Sequence, residues 1–547
     1  MKNFLLLFTG IFTCTLAFNQ SSTWENVYSI IQTNCSGCHV AGHVSGLDMS
    51  GTISETYDVL YDVVPTNIVS ADKHYKRVTP GNPYKSFIFN KINNGLALDV
   101  NLVTGEGEAC PQGASPLDEK EIELIRQWIL YGAFETGTLV DETLIADFYD
   151  NDGIQSVPSP PSAPPVGEGY QIHYGPFFLW PEEEHEYWYK LETDESDTIE
   201  VNRLDTYMGE YSHHFIMYKY YNTAIASSVE YGIHDGPDFN GVELVYGHQF
   251  SDSLKLPNKT AFSWANTTIL NLNTHYINYS SDKSLACEVY INVFTQEKGT
   301  AAQIMYTTRK SNSDLDIPND SLPHTFIDTS FGFGHGEDQM FVWAMTSHTH
   351  KYGADFDIFK RTEAGEKGEQ IFDASCGATN GAPGCLDEIY DYHHPPTRKW
   401  PVMIPVRWMD GFIYEATFIN DGPVPVHFGM TAEDEMAVFM YFYVDDTTGL
   451  NLSEEETAIE NILTSTFSVF PNPADNTIFI HANETLNDIL ISISDITGKV
   501  IIEDQQNLSG TSSNYLSLDV SGLPPGMYIL QGKENGICRF NAKIVIK

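Results

Sequence analysis

The sequence predicts a multidomain protein, with a mainly α N-terminal part followed by β-rich domains. At 547 residues the chain exceeds the roughly 250–300 residues at which single hydrophobic cores stop growing. Residues 118–131 (DEKEIELIRQWILY) carry one apolar stripe at helical spacing. From residue 168 onward, short apolar runs bounded by Asp, Asn, Gly and Ser predict antiparallel β-sandwiches without intervening helices.

Two linkers are expected to separate these parts. The first covers residues 141–167 and contains the run VPSPPSAPPVG, a composition that favours a stiff, extended segment. The second covers residues 446–465 and is acidic. Residues 466–547 then return to short strands with turns, which predicts a small C-terminal β-sandwich. Clear strand candidates in the central region are residues 215–220, 287–294 and 341–345.

Charge and the N-terminal residues indicate an exported protein. The net charge is -45, from 29 basic and 74 acidic side chains. A protein that neutralises phosphates needs clustered Lys and Arg, so this composition excludes nucleic acid as a partner. Residues 1–17 predict a signal peptide, with Lys2 as its charge, an apolar stretch and a small-residue cleavage site at Ala17. No later run approaches the roughly 18 apolar residues of a membrane span, so we expect no transmembrane segment.

The eight cysteines fall into separate groups. Cys14 is expected to leave with the signal peptide. Cys376 and Cys385 bracket a Gly-rich loop (CGATNGAPGC), which predicts a local disulfide bond in an oxidising compartment. Cys287 and Cys538 have no partner that the sequence assigns.

The motif Cys35-Ser36-Gly37-Cys38-His39 predicts covalent haem attachment. C-x-x-C-H is the signature of haem c, in which the two thiols bond the haem and the adjacent imidazole becomes the proximal iron ligand. A zinc half-site is the alternative. A zinc site would need a second ligand pair at comparable spacing, and none lies between residues 40 and 140.

The runs that follow this motif resemble a known class of module. Residues 77–92 (RVTPGNPYKSFIFNKI) and 115–133 (SPLDEKEIELIRQWILYGA) resemble small c-type cytochrome domains found fused to bacterial secreted enzymes. The resemblance implies a cytochrome c-like haem domain over residues 20–140. Such domains carry a Met-Pro pair before the final helix, and its methionine is the distal iron ligand. Here that place reads Cys110-Pro111, so the distal position stays open. The candidates are Cys110, His43, His74 and Met49, and an open iron position is a further alternative.

Separated histidine and methionine elements mark the central region. They are YSHHFI at residues 211–216, NLNTHY at 271–276, SHTH at 347–350 and EDEM at 433–436. His348 and His350 are two residues apart, so on a strand both would project from one face. His213 and His214 would point to opposite faces of a regular strand, so sharing a metal requires a bulge or twist there.

Together these elements resemble the copper type II, ascorbate-dependent monooxygenases, the family of peptidylglycine hydroxylating monooxygenase and dopamine β-monooxygenase. The resemblance covers residues 168–445, and all six ligand types match in order and approximate spacing. It implies two antiparallel β-sandwich, jelly-roll-like copper domains, at residues 168–298 and 299–445. It also implies two copper ions. The first would be held by His213, His214 and His275, and the second, catalytic one by His348, His350 and Met436.

The resemblance implies that the protein is an enzyme, a copper-dependent monooxygenase. Oxygen would be activated at the Met-containing copper, which abstracts hydrogen from a C–H bond of a small-molecule or peptide substrate. The three-histidine copper would supply an electron that comes from ascorbate, another reductant or the fused haem c. The ligand types agree, because imidazoles suit both copper oxidation states and a thioether favours Cu(I). The alternative from another class is a non-catalytic copper/haem electron-transfer or copper-binding protein.

We do not expect this protein to act on the substrate of the best-known family members. In the peptide-amidating enzymes an Arg two residues before the His-x-His pair helps to clamp a peptide carboxylate, and here that position is Thr346. The Asn and Tyr expected after the methionine ligand are Val438 and Met440. Because this charge-assisted clamp is absent, we predict that the protein does not amidate peptides.

Three C-terminal motifs resemble the type IX secretion sorting domains of Bacteroidetes. They are FSVFPNPADNTIFI at residues 467–480, SDITGKVI at 494–501 and LDVSGLPPGMYIL at 518–530. The resemblance implies a sorting domain over residues 466–547, the type IX secretion machinery as a partner, and secretion or display at the cell surface. From strands and turns alone, a carbohydrate-binding module is the alternative.

Overall fold

The structure is a computed structural model of the chain. The predicted signal peptide, the Cys376–Cys385 disulfide and most of the acidic linker lie outside the residues that it describes. By Cα proximity the chain divides into two compact units, Met1–Lys255 with Trp264–Gln296, and Leu256–Ser263 with Glu297–Lys547. The described residues are 21–193, 197–209, 211–234, 236, 241–248, 252–330, 338–374, 392, 397–429, 433–450, 467–470, 477–482, 489–495, 499–506, 515–524, 526–534 and 537–546.

Short helices occupy residues 23–150 of the first unit. Side chains in the sequence fix where they begin: Ser22 and Glu25 form a reciprocal capping box at one, and Asp118 and Glu121 do so at another. The helices are α1 Thr23–Asn34, α2 Ile53–Leu60, α3 Ile68–Asp72, α4 Phe87–Ile92, α5 Glu119–Leu130 and α6 Glu142–Asp150, with a 3-10 turn at Pro83–Lys85. Helix α5 confirms the helix predicted at residues 118–131. Across the described residues, no helix combines the length and apolar character needed to cross a membrane.

These helices bury their apolar faces in a core that they share with β-strands. Trp24 and Trp128 are buried there and stack with their ring centroids 4.8 Å apart. Phe178 and Ala286, which lie in strands more than 100 residues away from α1 along the chain, belong to the same core. The helical segment is therefore stabilised partly by strands of the first unit.

The predicted fold class is wrong. We expected a mainly α cytochrome c-like domain, two antiparallel β-sandwich, jelly-roll-like copper domains and a small C-terminal β-sandwich. The structure is mainly β, with 43% in strands and 14% in helices, it contains many small sheets, and no helical cytochrome-like N-terminal domain is evident in its described part. The physical reason lies in the helices: within the described residues none exceeds 12 residues, and their core includes strand residues.

The strands of the first unit place β10 at the centre of a five-stranded sheet. Up to residue 296 the strands are β1 Ile154–Gln155, β2 Gly169–Leu179, β3 Glu184–Glu192, β4 Ile199–Tyr207, β5 Ser212–Tyr220, β6 Gly232–His234, β7 Val242–His248, β8 Asp252–Lys255, β9 Thr260–Trp264, β10 Ile269–Ile277 and β11 Leu285–Gln296, with the short helix α7 Thr223–Ala226 after β5. All but the last residue of β9 belong to the second unit. The sheet has the order β6-β3-β10-β5-β7. Strand β11 pairs with β1, β2 and β4, and β4 pairs with β8. The predicted strands at residues 215–220 and 287–294 are confirmed within β5 and β11.

In the second unit, two four-stranded sheets share one hydrophobic core. Up to residue 445 its strands are β12 Gln303–Ile304, β13 Tyr306–Asn312, β14 Asp316–Ile317, β15 Pro323–Ser330, β16 Gln339–His348, β17 Gly353–Arg361, β18 Lys367–Asp373, β19 Thr397–Arg407, β20 Phe412–Ile419, β21 Val426–His427 and β22 Ala437–Val444. The sheet orders are β13-β22-β16-β19 and β15-β20-β17-β18. Both sheets contribute to the core, for example Met345 from β16 and Phe356 from β17. The strand predicted at residues 341–345 is confirmed within β16.

The C-terminal residues form two further sheets. Their strands are β23 Phe467–Phe470, β24 Thr477–Ala482, β25 Ile489–Asp495, β26 Val500–Gln506, β27 Tyr515–Asp519, β28 Gly526–Glu534 and β29 Ile537–Ile546. The sheet orders are β23-β24-β27 and β26-β25-β28-β29. Alternate residues along the strands, such as Ile491 and Ile493, are buried in a core of their own, as strand periodicity requires.

Candidate functional site

Three histidines of the first unit converge on one point. His213 and His214 lie on β5, and His275 lies on the neighbouring strand β10. One ring nitrogen from each falls within 4.8 Å of the others. The ring centroids are 5.7 Å apart for His213 and His214, 4.8 Å for His213 and His275, and 5.0 Å for His214 and His275. The structure thus brings together the three residues that the sequence predicts for the first copper.

A β-bulge allows two consecutive histidines to face the same point. On the paired strands, His275 lies opposite His214. The next residue of β10, Tyr276, lies opposite Ser212, so His213 is an extra residue on β5. In a regular strand, consecutive side chains point to opposite faces, and an extra residue re-aims one of them. The bulge that a metal shared by His213 and His214 requires is therefore present.

Oxygen acceptors occupy one ring nitrogen in two of these imidazoles. His275 Nε2 lies 2.7 Å from Glu184 Oε1, and His214 Nε2 lies 2.9 Å from Asn273 Oδ1. Asn273 is oriented by donating from Nδ2 to Glu186 Oε1 at 2.9 Å. Because these oxygens accept from an Nε2–H, the neutral imidazoles keep the Nδ1 lone pair for a metal.

Burial favours the metal-binding form of His275. The residue is 4% exposed, and burial lowers its pKa below the ordinary 6.5 in spite of the contact with Glu184. Neutral imidazole is the form that binds metal ions. Near neutral pH, His275 therefore needs little or no proton release before it can act as a ligand.

In the second unit, antiparallel pairing brings Met436 to the strand end that carries His348 and His350. Strand β16 ends at His348, and His350 follows just beyond the strand rather than within it. The two imidazole centroids are 5.1 Å apart. Met436 immediately precedes β22, and Val438 of that strand lies opposite His348. The register therefore places the methionine at the same end of the sheet as the two histidines.

The buried carboxylate of Glu435 ties these two segments together. Its Oε2 accepts the backbone N–H groups of His350 at 2.9 Å and Met436 at 3.2 Å, and its Oε1 accepts that of Tyr352 at 2.6 Å. Burial raises the pKa of Glu435 to about 7, although these three N–H donors act in the opposite direction. One side chain thus holds the backbone on both sides of the second candidate site.

His350 offers a different ring nitrogen, Nε2, to the second candidate site. Its Nδ1 lies 2.9 Å from the backbone carbonyl oxygen of Asp434. A carbonyl only accepts, so Nδ1 carries the proton and Nε2 keeps the lone pair for a ligand role. The first site therefore offers Nδ1 from His214 and His275, whereas the second offers Nε2 from His350.

Cys35, Cys38 and His39 lie in the turn that follows α1. The backbone N–H groups of Cys38 and His39 both donate to the carbonyl of Cys35, at 3.2 and 3.0 Å. Burial raises the pKa of Cys35 to about 11, with smaller contributions from Cys110 and Cys38, so Cys110 lies beside this pair. Among the described residues, neither of the groups of three or more metal-ligand side chains that converge within 4.8 Å contains a cysteine. A tetrahedral zinc site needs such convergence.

Other candidates for the distal haem position lie in the same loop. The His43 ring centroid is 4.9 Å from that of His39. Ser45 Oγ lies 2.7 Å from His43 Nδ1 and 3.3 Å from His39 Nδ1. The backbone N–H of Met49 donates to the carbonyl of His39 at 2.8 Å. His43 and Met49, like Cys110, therefore stay close to the motif.

Sequence reasoning missed a group of three aspartates in the second unit. Asp355, Asp357 and Asp373 bring one carboxylate oxygen each within 4.8 Å of the others. Burial, followed by repulsion from the two neighbours, raises the pKa of Asp357 to about 7. The alternation of Asp355 and Asp357 places them on one face of β17, and this was the available signal. The approach of Asp373 depends on the β17–β18 register.

Comparison with known proteins identifies the C-terminal part. Residues 468–547 match the family described as a secretion system C-terminal sorting domain. This confirms the predicted type IX sorting domain. The chain is therefore exported by the type IX secretion machinery and is either secreted or attached to the cell surface. No curated protein matches the chain.

The similarity of the chain to solved structures is low. The similar structures include a glycosyl hydrolase family 2 member from Bacteroides cellulosilyticus DSM 14838, with 8% identity over 41% of this chain and 28% of that chain, at a TM-score of 0.17. They also include the BSP domain of a biofilm associated protein, with 8% identity over 70% of this chain and 82% of that chain, at a TM-score of 0.13. The chain thus spans little more than a quarter of the glycosyl hydrolase. At these TM-scores, neither likeness supports an inference about fold or function.

Proposed function

We propose that this protein is a secreted copper-dependent monooxygenase that hydroxylates a C–H bond of a small-molecule or peptide substrate with O2. The observation that carries the proposal is the convergence of His213, His214 and His275 at a β-bulge. The bulge re-aims one of two consecutive histidines toward a third, as a metal ion shared by all three would require. The His348, His350 and Met436 segments supply the second set of ligands.

The donor types of the two sites fit copper. Imidazole binds copper in both oxidation states, while the soft thioether of Met436 favours Cu(I) and is a poor ligand for a zinc hydrolase. When bound, copper would supply one-electron transfer at the three-histidine site and oxygen activation at the Met-containing site. The buried positions of His275 and His350, 4% and 6% exposed, limit the access of water to the ligands.

The protein's own residues would hold the ligands in a fixed geometry. Glu184 and Asn273 bind the Nε2–H groups of His275 and His214 and so fix both ring orientation and tautomer. Glu435 holds the backbone of His350 and Met436 against each other. Ligands oriented in advance need little reorganisation when a metal changes its oxidation state.

The residues around the second site argue against a peptide carboxylate as the anchor. Thr346 lies directly opposite Met440, and His348 lies opposite Val438. The three positions that in peptide-amidating relatives carry Arg, Asn and Tyr are therefore neighbours here, and none of them carries a charge. We accordingly propose a substrate whose C–H bond is presented without a carboxylate clamp at these positions.

A haem c bonded to Cys35 and Cys38, with His39 as proximal ligand, is the proposed internal electron source. Each hydroxylation consumes two electrons, which ascorbate or another reductant could also supply. Burial keeps Cys35 as a thiol at neutral pH, because it raises the thiol pKa to about 11. Cys110, beside this pair, occupies the place where the c-type cytochrome domains that the sequence resembles carry the distal methionine, and the distal ligand stays open.

Substrate-dependent oxygen uptake tests the proposal. Full-length protein should contain two coppers and one haem, and a screen of C–H substrates should find one that stimulates oxygen consumption. Met436→Ala should abolish this turnover while the three-histidine copper stays bound. Met409→Ala is the matched control, because Met409 is 72% exposed, and it should retain wild-type activity.

The same variants discriminate the alternative of a non-catalytic copper/haem electron-transfer or copper-binding protein. In that case Met436→Ala should only weaken copper binding, and no substrate should stimulate oxygen uptake. Stopped-flow mixing of copper-loaded protein with a reductant tests the electron source. Reduced haem that copper fails to oxidise would refute the relay from haem to copper.

A further inference from the structure

Two carboxylates of β3 lie against the three-histidine cluster. Strand β3 pairs with β10, so that Glu186 lies opposite His275 and Glu184 lies opposite Ile277. Residues opposite each other in a sheet, and residues two apart on one strand, share a face. Glu184 and Glu186 are therefore on the same face of the sheet as His275.

Both carboxylates reach the imidazoles of the cluster. Glu184 Oε1 is 2.7 Å from His275 Nε2. Glu186 Oε1 is 3.4 Å from His214 Nε2, and it also accepts the Asn273 amide at 2.9 Å. Their side chains are 37% and 20% exposed, so water screens these charges only in part. Two of the three imidazoles, those of His275 and His214, thus have a carboxylate at their outer nitrogen.

The second site is built differently. The outer nitrogen of His350 binds the neutral backbone carbonyl of Asp434. The nearby carboxylate of Glu435 binds backbone N–H groups of His350, Tyr352 and Met436 instead of an imidazole ring. Its third predicted ligand is a neutral thioether. His214 and His275 of the first site thus contact carboxylates, whereas the ring of His350 contacts a backbone carbonyl.

We propose that Glu184 and Glu186 lower the reduction potential of the copper at the three-histidine site and thereby make it the electron-donating site. This inference rests on the proposed function. A carboxylate that accepts the outer N–H of an imidazole raises the basicity of that ligand. Its negative charge also attracts Cu(II) more strongly than Cu(I). Each electron given up converts one Cu(I) at this site to Cu(II), and ascorbate or another one-electron reductant restores it.

The expected change in reduction potential follows from how much each carboxylate strengthens the binding of Cu(II) relative to that of Cu(I). Loss of a partner that supports a metal ligand typically weakens metal binding about 10- to 100-fold. If a carboxylate acts mainly on Cu(II), removing its charge should weaken Cu(II) binding about tenfold and leave Cu(I) binding nearly unchanged. A tenfold difference between the two states corresponds to a potential about 59 mV higher for a one-electron couple.

The experiment measures Cu(II) and Cu(I) affinities of the full chain with competing chelators. A His350→Ala background confines the measurement to the three-histidine site. Glu184→Gln and Glu186→Gln each remove one charge but keep a side-chain oxygen that can accept the same N–H. Glu192→Gln is the matched control, because Glu192 lies at the other end of β3, opposite Ile269. The Cu(II) electron paramagnetic resonance spectrum reports that the copper still sits on the three histidines.

We expect each of the two variants to weaken Cu(II) binding about tenfold, with Cu(I) binding changed less than about threefold, and the double variant to weaken Cu(II) binding more than either single variant. Equal weakening of both states, or no weakening in either glutamine variant, would overturn the inference, because a purely structural role does not discriminate between oxidation states. Should Glu184→Gln fail to fold, Glu186→Gln provides the same test. The proposed monooxygenase fails separately, if the wild-type two-copper protein shows no substrate-dependent oxygen uptake.

Discussion

Replacing Asp357 by asparagine is expected to stabilise the second unit at alkaline pH. Asp357 shares one face of β17 with Asp355, and Asp373 lies opposite it on β18. One oxygen of each carboxylate falls within 4.8 Å of the others. Gln370 Nε2 donates to Asp357 Oδ1 at 2.8 Å, and an asparagine Oδ1 can accept the same hydrogen bond. The substitution therefore removes a charge and preserves both the shape and this contact.

The magnitude follows from the pKa of Asp357. Burial, and then repulsion from Asp355 and Asp373, raises this pKa from 3.8 to about 7. At about 1.36 kcal/mol per pKa unit, a rise of about three units corresponds to about 4 kcal/mol in full. The three carboxylates remain partly exposed to water, so we halve this value to about 2 kcal/mol.

The sign follows from which state binds the proton more tightly. The folded state, with the raised pKa, binds it more tightly than the unfolded chain. The stabilising contribution of the protonated carboxyl is therefore fully present below about pH 4 and is lost as the pH rises through about 7. Asparagine cannot ionise, so the variant should keep the stability that the wild type loses over this window.

Urea unfolding at about pH 4 and about pH 8 tests this expectation. A chelator should be present, so that no bound cation neutralises the aspartates. Asp316→Asn is the control, because the Asp316 side chain is 82% exposed and its loss should change the stability by less than about 0.5 kcal/mol. The variant should gain about 2 kcal/mol over the wild type at the higher pH only. A gain of equal size at both pH values, or none at the higher, would show that charge repulsion does not limit the stability here.

Two further substitutions probe the second candidate site and the first unit. Glu435→Asp shortens the side chain whose carboxylate holds the backbone of Met436. The Cu(I) affinity of the second site should therefore fall about tenfold, while the three-histidine site keeps its copper affinity. A chelator titration measures both affinities. Gly81→Ala should lower the free energy of unfolding, measured with urea, by more than about 3 kcal/mol. Gly81 has a φ of +76°, and an added Cβ would lie 2.3 Å from the backbone nitrogen of Gly232. Wild-type stability in the alanine variant would mean that the backbone there can shift freely.

Local features could be predicted from the sequence because neighbours along the chain determine them. Helix α5 begins where Asp118 and Glu121 form a capping box, and both residues are visible in the sequence. The bulge at His213 followed from the fact that two consecutive side chains of a regular strand cannot face one metal. Only spacing within a few residues was needed in either case.

Partners from distant strands could not be predicted in the same way. Glu184 and Glu186 belong to an acidic run, EEEHE, which is typical of a solvated surface. They reach the histidines only because β3 and β10 pair in one register, and a slip by one residue would turn both carboxylates to the opposite face. Glu435 is adjacent to a predicted ligand, yet its contact with His350 joins residues 85 positions apart.

The fold class was predicted wrongly for the same reason, because contacts between distant parts of the chain decide it. The C-x-x-C-H motif and a single amphipathic helix indicated an independent helical domain, but short helices rarely bury enough apolar surface by themselves. Here Phe178 and Ala286, both in strands, complete the core around Trp24 and Trp128. Which strand residues fill a helical core depends on the tertiary fold, and no periodicity within the helices reveals them.

The position of each histidine in its sheet explains why the two candidate sites offer different nitrogens. His275 lies on a central strand, where pairing on both sides engages the backbone carbonyls, so the acceptors left for its ring and for that of His214 are side chains. Side-chain acceptors can be carboxylates, and Glu184 is one. His350 lies just past the end of β16, and its ring nitrogen donates to the backbone carbonyl of Asp434. A histidine within a sheet is thus open to tuning by charged neighbours, whereas one at a strand end can be fixed by neutral backbone. The proposed difference in potential between the two coppers would then follow from strand register.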